Sequence, residues 1–177
     1  MEQASLSRVM SVAGRVRLDP EQAGEHFDRL YRAAWALCGS REDAEDLVQE
    51  TYARVLAKPR FLRSEDDLGY LLRTLRNTFL NQKRAEGRRF RTAPLPDEFD
   101  VIADPHAPDP AAALEAGEVY AAVAALPADF RDVLVAVDVA GLSYKEAARA
   151  LRIREGTVMS RLYRARRQVV QRIEGEE

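Results

Sequence analysis

Residues 141–173 read GLSYKEAARALRIREGTVMSRLYRARRQVVQRI, two helix-forming runs joined by a short turn. Ser143 and Glu146 stand at the spacing of a capping box, in which hydroxyl and carboxylate satisfy each other's backbone amides at a helix start. The helix they open ends near Leu151. A turn of about four residues, with Ile153 as its apolar plug, leads to a second helix near Glu155. At about 100° per residue, Val158, Leu162, Ala165, Val169 and Ile173 stack on one face of that helix, which must pack on the preceding helices. Ser160, Tyr163, Arg164 and Arg167 lie opposite. Hydroxyls and guanidinium groups along the outer face of the second helix of such a pair suit major-groove reading, since Arg grips guanine edges or phosphates. A solvated arginine face on a C-terminal helix would show the same periodicity.

Upstream, the chain divides by charge. Residues 83–91, KRAEGRRFR, hold five basic side chains against one acidic. Residues 92–130 then contain no Lys or Arg and eight carboxylates: Asp97, Glu98, Asp100, Asp104, Asp109, Glu115, Glu118 and Asp129. From Arg149 to Arg172 the sign reverses again, with eight arginines against Glu155. Pro94, Pro96, Pro105, Pro108 and Pro110 with little periodicity between them predict an acidic, Pro-rich linker over 92–109. The predicted organisation is an N-terminal extension (1–20), a helical domain (21–91), the linker (92–109) and a helix-turn-helix domain (110–177).

Every periodic segment is helical and no alternation is long enough for a convincing strand, so the fold class is all-α, two small helical domains joined by the linker. A first helix after Pro20 turns Phe27, Leu30, Tyr31, Ala34 and Leu37 inward and stops at Gly39. Ser40 caps a second, with inner face Leu47, Val48, Thr51, Val55 and Leu56, ending at Pro59. A third, after Ser64–Asp67, buries Leu68, Leu71, Leu72, Leu75 and Phe79. Two more follow from about Pro110 and about Pro127, the latter with Phe130, Val133, Leu134 and Val137 inward.

The third helix carries Tyr70, Asn77, Asn81, Arg84 and Arg88 on the side away from its leucines. An aromatic ring, two amides and two cations can stack on a base, bond base edges and hold phosphates, which suits unpaired DNA better than an intact duplex. Either asparagine alone could equally serve buried backbone groups. The second helix crowds Asp43, Glu45, Asp46, Gln49 and Glu50 into its first half, where the helix dipole stabilises carboxylates without any partner.

The 27 basic and 29 acidic side chains leave a net charge of −2, which by itself points neither toward nor away from a polyanion. No apolar run approaches the roughly 20 residues that span a bilayer, and Arg8, Arg15 and Arg17 interrupt the N-terminal stretch, unlike a secretory signal. The expected location is therefore the cytoplasm. Cys38 is the lone cysteine and reads as a small buried hydrophobe; His26 and His106 stand apart, so no metal site and no cofactor are expected. No nucleophile, base and ligand set clusters as an enzyme would need.

Three segments together resemble the extracytoplasmic-function (ECF) sigma factors of bacterial RNA polymerase, over roughly residues 22–172. DAEDLVQETYARVL resembles their core-polymerase-binding helix, YLLRTLRNTFLNQKR their minus-10 recognition and melting segment, and ALPADFRDVLVAVDVAGLSYKEAARALRIREGTVMSRLYRARRQV their minus-35 reading domain. The resemblance implies that Asp46, Gln49 and Glu50 contact the coiled-coil clamp of the large polymerase subunit. It implies that Tyr70, Asn77, Asn81, Arg84 and the loop around Arg88 lie at the minus-10 element, where a base is flipped out and held. Thr157, Met159, Ser160, Tyr163, Arg164 and Arg167 would face the minus-35 groove, and the acidic linker would run through the polymerase interior. The implied partners are core RNA polymerase, promoter DNA and an anti-sigma factor, which in many relatives is membrane-anchored and would hold the chain at the membrane without insertion.

The chain departs from the common pattern at three places. Tyr70 stands where many members have tryptophan, Asn81 where many have aspartate, and Met159 where Arg or Lys is frequent; the NTF-x-N form is similar to a subgroup answering thiol-oxidative stress. Residues before Glu21 fall outside the pattern. The competing readings are a helix-turn-helix regulator that binds its operator without polymerase, and a helical enzyme or adaptor whose basic faces are incidental.

Overall fold

Leucine spacing on residues 67–89 produces the longest helix of the computed structural model, which describes residues 16–58, 61–62, 66–89 and 110–175. In chain order the elements are β1 (Val16–Arg17), α1 (Pro20–Glu25), α2 (Phe27–Cys38), α3 (Arg41–Leu56), β2 (Phe61–Leu62), α4 (Asp67–Arg89), α5 (Pro110–Ala124), α6 (Ala128–Leu134), a π-helical stretch (Val135–Val139), α7 (Tyr144–Leu151) and α8 (Glu155–Glu174). The predicted linker, 92–109, lies outside the described residues.

The caps form as their chemistry demands. The Ser40 hydroxyl accepts the amide of Asp43 at the start of α3, and Gly39, at φ +80°, closes α2 with its amide on the Trp35 carbonyl. A side chain at Gly39 would also crowd Ala124 of α5, whose Cβ lies 3.1 Å from where its own would stand. At α7 both halves of the Ser143–Glu146 capping box are made. The two hydrogen bonds from Ser143 hold the Glu146 carboxyl below its usual range.

Several expectations need correction. The first helix is broken at His26, whose amide turns back to the carbonyls of Ala23 and Gly24. That break rotates Phe27 outward, where it is 49% exposed and stacks on Tyr31 and Tyr52 instead of entering the core. Leu56, the last residue of α3, is also 49% exposed, because the inner stripe of α3 ends at Val55. Ile173 is exposed as well; the packed face of α8 comprises Val158, Leu162 and Ala165, with Val169 half-buried. Two short strands do form: β1 pairs antiparallel with β2, Val16 opposite Leu62, and Leu18 beyond it is buried. Residues 16–19 are thus tied to the helices that follow. Cys38 is only half-buried, and burial pushes its thiol up to about 12.

The helices before and after residues 90–109 do not form separate cores. One apolar cluster runs from Leu30, Leu47 and Leu71 through Trp35 to Val133, Val135, Val158 and Leu162. Trp35 of α2 packs on Tyr120 of α5 with centroids 4.5 Å apart, and Arg41 caps the indole face at 4.3 Å. No helix among the described residues is long and apolar enough to cross a membrane.

Candidate nucleic-acid interface

Because α7 ends at Leu151 and α8 begins at Glu155, the intervening chain must turn sharply, and Arg152 does so in the left-handed region at φ 57°. Its amide returns to the Ala148 carbonyl and that of Ile153 does the same, so both are satisfied inside the turn. Val158 and Leu162 then seat α8 on α6 and α7. What remains outward is Met159, Ser160, Tyr163, Arg164 and Arg167, all exposed, with Thr157 half-buried beside them. Tyr163 is 64% exposed and Arg167 lies 6.0 Å over its ring.

The arginines of α8 separate into two kinds. Arg166 makes a bidentate pair with Asp138 of the π-helical stretch, at 2.9 and 2.7 Å, and the pairing raises its already high pKa. Arg161 reaches Asp129 of α6 at 2.7 Å. Arg164 has no partner among the described residues and projects from the outer face. Arg172 donates to the Ala125 carbonyl at 3.3 Å, so three cations fasten the helix to its scaffold, while Arg164 and Arg167, the latter beside the Tyr163 ring, are left for a ligand.

On α4, Leu68, Leu71, Leu72, Leu75 and Phe79 are buried, and Asn77, Asn81, Arg84 and Arg88 are exposed. Neither asparagine bonds a buried backbone group among the described residues, so both amides face outward. Tyr70 is half-buried and packs against the core, at the edge of that stripe and not fully opposite the leucines. On α3, Asp46 and Gln49 are exposed, while Glu50 is half-buried and already paired with Arg54 one turn on. Asp46 also lines a cleft of ≈ 260 Å³ with Asp43, Gln82 and Lys83.

Residues that no helical wheel singled out join the two halves. Arg29 of α2 donates to the carbonyls of Ala140 and Gly141, at 2.8 and 3.1 Å. Arg73 of α4 donates through Nε and Nη2 to the carbonyls of Ala150 and Arg149 at the end of α7. Arg76 of α4 pairs with Asp132 of α6, whose side chain is only 5% exposed. Arg131 lies 5.0 Å over the Phe79 ring and donates to the Ala124 carbonyl. A buried aspartate facing an arginine 56 residues away leaves no periodic signal in the sequence.

Residues 22–89 match the family model described as Sigma-70 region 2, and residues 116–169 that described as Sigma-70, region 4. The chain is similar to the ECF RNA polymerase sigma factor SigE of Mycolicibacterium smegmatis, 38% identical over 153 residues, covering 84% of this chain and 59% of that longer relative. It is also similar to the ECF RNA polymerase sigma factor EcfG of Rhodopseudomonas palustris, 36% identical over 134 residues, 75% of this chain and 72% of the relative. Among solved structures, the sigma factor RpoE in complex with the anti-sigma factor NepR from Bartonella quintana superimposes with a TM-score of 0.68 at 24% identity, covering 89% of this chain and 97% of that one. CnrH, in complex with the cytosolic domain of CnrY, follows at TM-score 0.59 and 21% identity, covering 89% and 88%. Both share the fold.

Proposed function

Since the chain belongs to the ECF sigma factors, we propose that it docks on core RNA polymerase, directs it to promoters bearing a matched minus-35 and minus-10 pair, and assists strand opening. It is a non-enzymatic, DNA-binding initiation factor. The observation that carries this reading is the order of three outward faces on one scaffold. The acidic face of α3 (Asp46, Gln49, Glu50) precedes the amide and arginine face of α4, which precedes the hydroxyl and arginine face of α8.

Each face has a chemical task. Asp46 and Gln49 meet the cations of the polymerase clamp, and Glu50 joins them by exchanging Arg54 for a clamp residue. Asn77 and Asn81 bond the edges of unpaired bases at the minus-10 element, Tyr70 supplies a ring edge for stacking, and Arg84 and Arg88 hold the backbone. Thr157, Met159, Ser160, Tyr163, Arg164 and Arg167 face the minus-35 major groove, with Arg164 the primary guanine or phosphate ligand. The functional division follows the faces, residues 21–91 for polymerase and minus-10 contacts and 110–177 for minus-35 contacts. An anti-sigma factor is the expected regulator, supported by the structural neighbour RpoE, which is in complex with the anti-sigma factor NepR. The chain then works in the cytoplasm, free or held at the membrane through that partner.

Run-off transcription from candidate promoters with purified core polymerase tests the reading. Discrete transcripts that require the chain are expected, and Asp46→Lys should reduce both capture by core polymerase and transcript yield while the circular dichroism spectrum stays unchanged. Specific DNA binding with no capture of core polymerase would refute it in favour of a polymerase-independent regulator.

A further inference from the structure

The outer face of α8 is divided by chemistry. At about 100° per residue, with the buried stripe Val158, Leu162 and Ala165 as reference, Ser160 and Arg167 lie near the centre of that face. Thr157 and Arg164 lie on one flank, Met159 and Tyr163 on the other. The first flank is polar and cationic. The second is apolar, with Met159 52% and Tyr163 64% exposed on successive turns. Folding leaves the Met159 thioether in water, so whatever covers it must come from outside the chain's described residues.

Met159 follows Glu155, the first residue of α8, by little more than one turn, and the N-terminal residues of a recognition helix are those that reach base edges. Gly156, one turn before Met159 and Ser160, has open space where a side chain would stand, so a duplex can approach both. Ser160 donates its hydroxyl proton to the Thr157 carbonyl at 3.2 Å, which leaves it an acceptor toward DNA. In the major groove guanine, adenine and cytosine present hydrogen-bonding groups, and thymine alone adds a methyl. A thioether pressed on a guanine or cytosine edge would strip water from polar groups and return no strong hydrogen bond. Pressed on a thymine methyl, it removes apolar surface from water on both sides. The acceptor at Ser160 suits the adenine amine that the same base pair offers.

We propose that Met159 reads a thymine: it packs on the C5-methyl of one thymine in the minus-35 element, and Tyr163 closes the outer side of that apolar contact. Met159 and Arg164 stand on opposite flanks and about 7.5 Å apart along the helix axis. At 3.4 Å per step, the thymine therefore lies about two base pairs from the pair that Arg164 meets, toward the opposite strand. This rests on the sigma factor reading for the name of the element, not for the methyl contact itself.

The test uses the full chain, alone and assembled with purified core polymerase. Selection from duplexes randomised over the minus-35 element identifies the bound sequence, and each thymine on either strand is then replaced by deoxyuridine, which removes the methyl and nothing else. At one position deoxyuridine should weaken closed complexes about fourfold by footprinting, the contribution of one buried methyl group. Met159→Ala should melt at the unchanged temperature, because the side chain is exposed, and should bind the thymine duplex at least that much more weakly. It should also be indifferent to deoxyuridine at that position. Met159→Arg should move the selected base there from thymine toward guanine. Indifference of the unaltered chain to deoxyuridine at every position, a selected element without thymine, or the same deoxyuridine effect in Met159→Ala would each overturn the proposal. So would a Met159→Ala defect confined to capture of core polymerase, which would put the side chain against protein. Methyl dependence without run-off transcripts overturns only the sigma factor reading, transcripts without methyl dependence overturn only the methyl contact, and a chain that selects no sequence in either form overturns both.

Discussion

Arg164 and Arg166 stand two residues apart on α8, yet the structure assigns them opposite kinds of defect. Arg166 spends its fork on Asp138, in a pair whose side chains are 53% and 31% exposed. Exposed ion pairs contribute about 0.2–1 kcal/mol, and the bidentate geometry places this one near the upper end. Arg166→Ala should thus cost about 1 kcal/mol or less, which lowers the melting temperature by about 2–4 °C in a chain of this size. Promoter affinity should change little, because Arg161 still ties α8 to Asp129. Arg164 contacts nothing that folding requires, so Arg164→Ala should leave the melting temperature unchanged. If it grips a base edge, closed complexes of the holoenzyme should weaken by about 1–3 kcal/mol, or about five- to 150-fold, and only on promoters with a matched minus-35 element. If it meets phosphate alone, the loss should be independent of sequence and the salt slope should fall by about 0.9. Footprinting of closed complexes at low temperature, beside thermal melting of the free chain, measures both effects. Equal promoter defects in the two variants, or a destabilised Arg164→Ala, would refute the sorting of these arginines by their partners.

Two further outcomes follow from packing and capping. Leu162→Ala removes a side chain that is 2% exposed beneath the recognition helix, and should cost about 2–5 kcal/mol by denaturant titration, with loss of minus-35 binding before loss of core-polymerase binding. Ser143→Ala should cost about 1 kcal/mol at neutral pH by removing the α7 cap. The Glu146 carboxyl is held below its usual range in the folded chain, so its share of stability is present above the unfolded value near 4.5 and is lost as pH falls through the lower folded value. Ser143→Ala should flatten that acid-side decline, and an unchanged acid profile would show that the hydroxyl does not set the carboxyl's affinity for its proton.

Local rules were enough wherever the cause of a structure lies within one helix. The Ser40 and Ser143 caps, the stop at Gly39, the leucine face of α4 and the outward set Ser160, Tyr163, Arg164 and Arg167 all form as the residues predict, since each depends on spacings of three or four positions. The same rules erred at Phe27, which the break at His26 turns outward, and at Leu56 and Ile173, because an apolar side chain on the right face is buried only if another element covers that turn. Periodicity likewise shows that arginines lie on the outside of α8 but not that Asp138 and Asp129 already hold two of them. Least visible of all were Arg29, Arg73, Arg76 and Asp132, which acquire their meaning across the seam between the halves. The caps, the leucine face of α4 and the outer set of α8 could be read along the chain, for these rest on contacts between near neighbours. Which charges are free to meet a ligand emerges with the packing of the helices, because a charge is neutralised by whatever the fold brings within about 4 Å, however far away it lies along the chain.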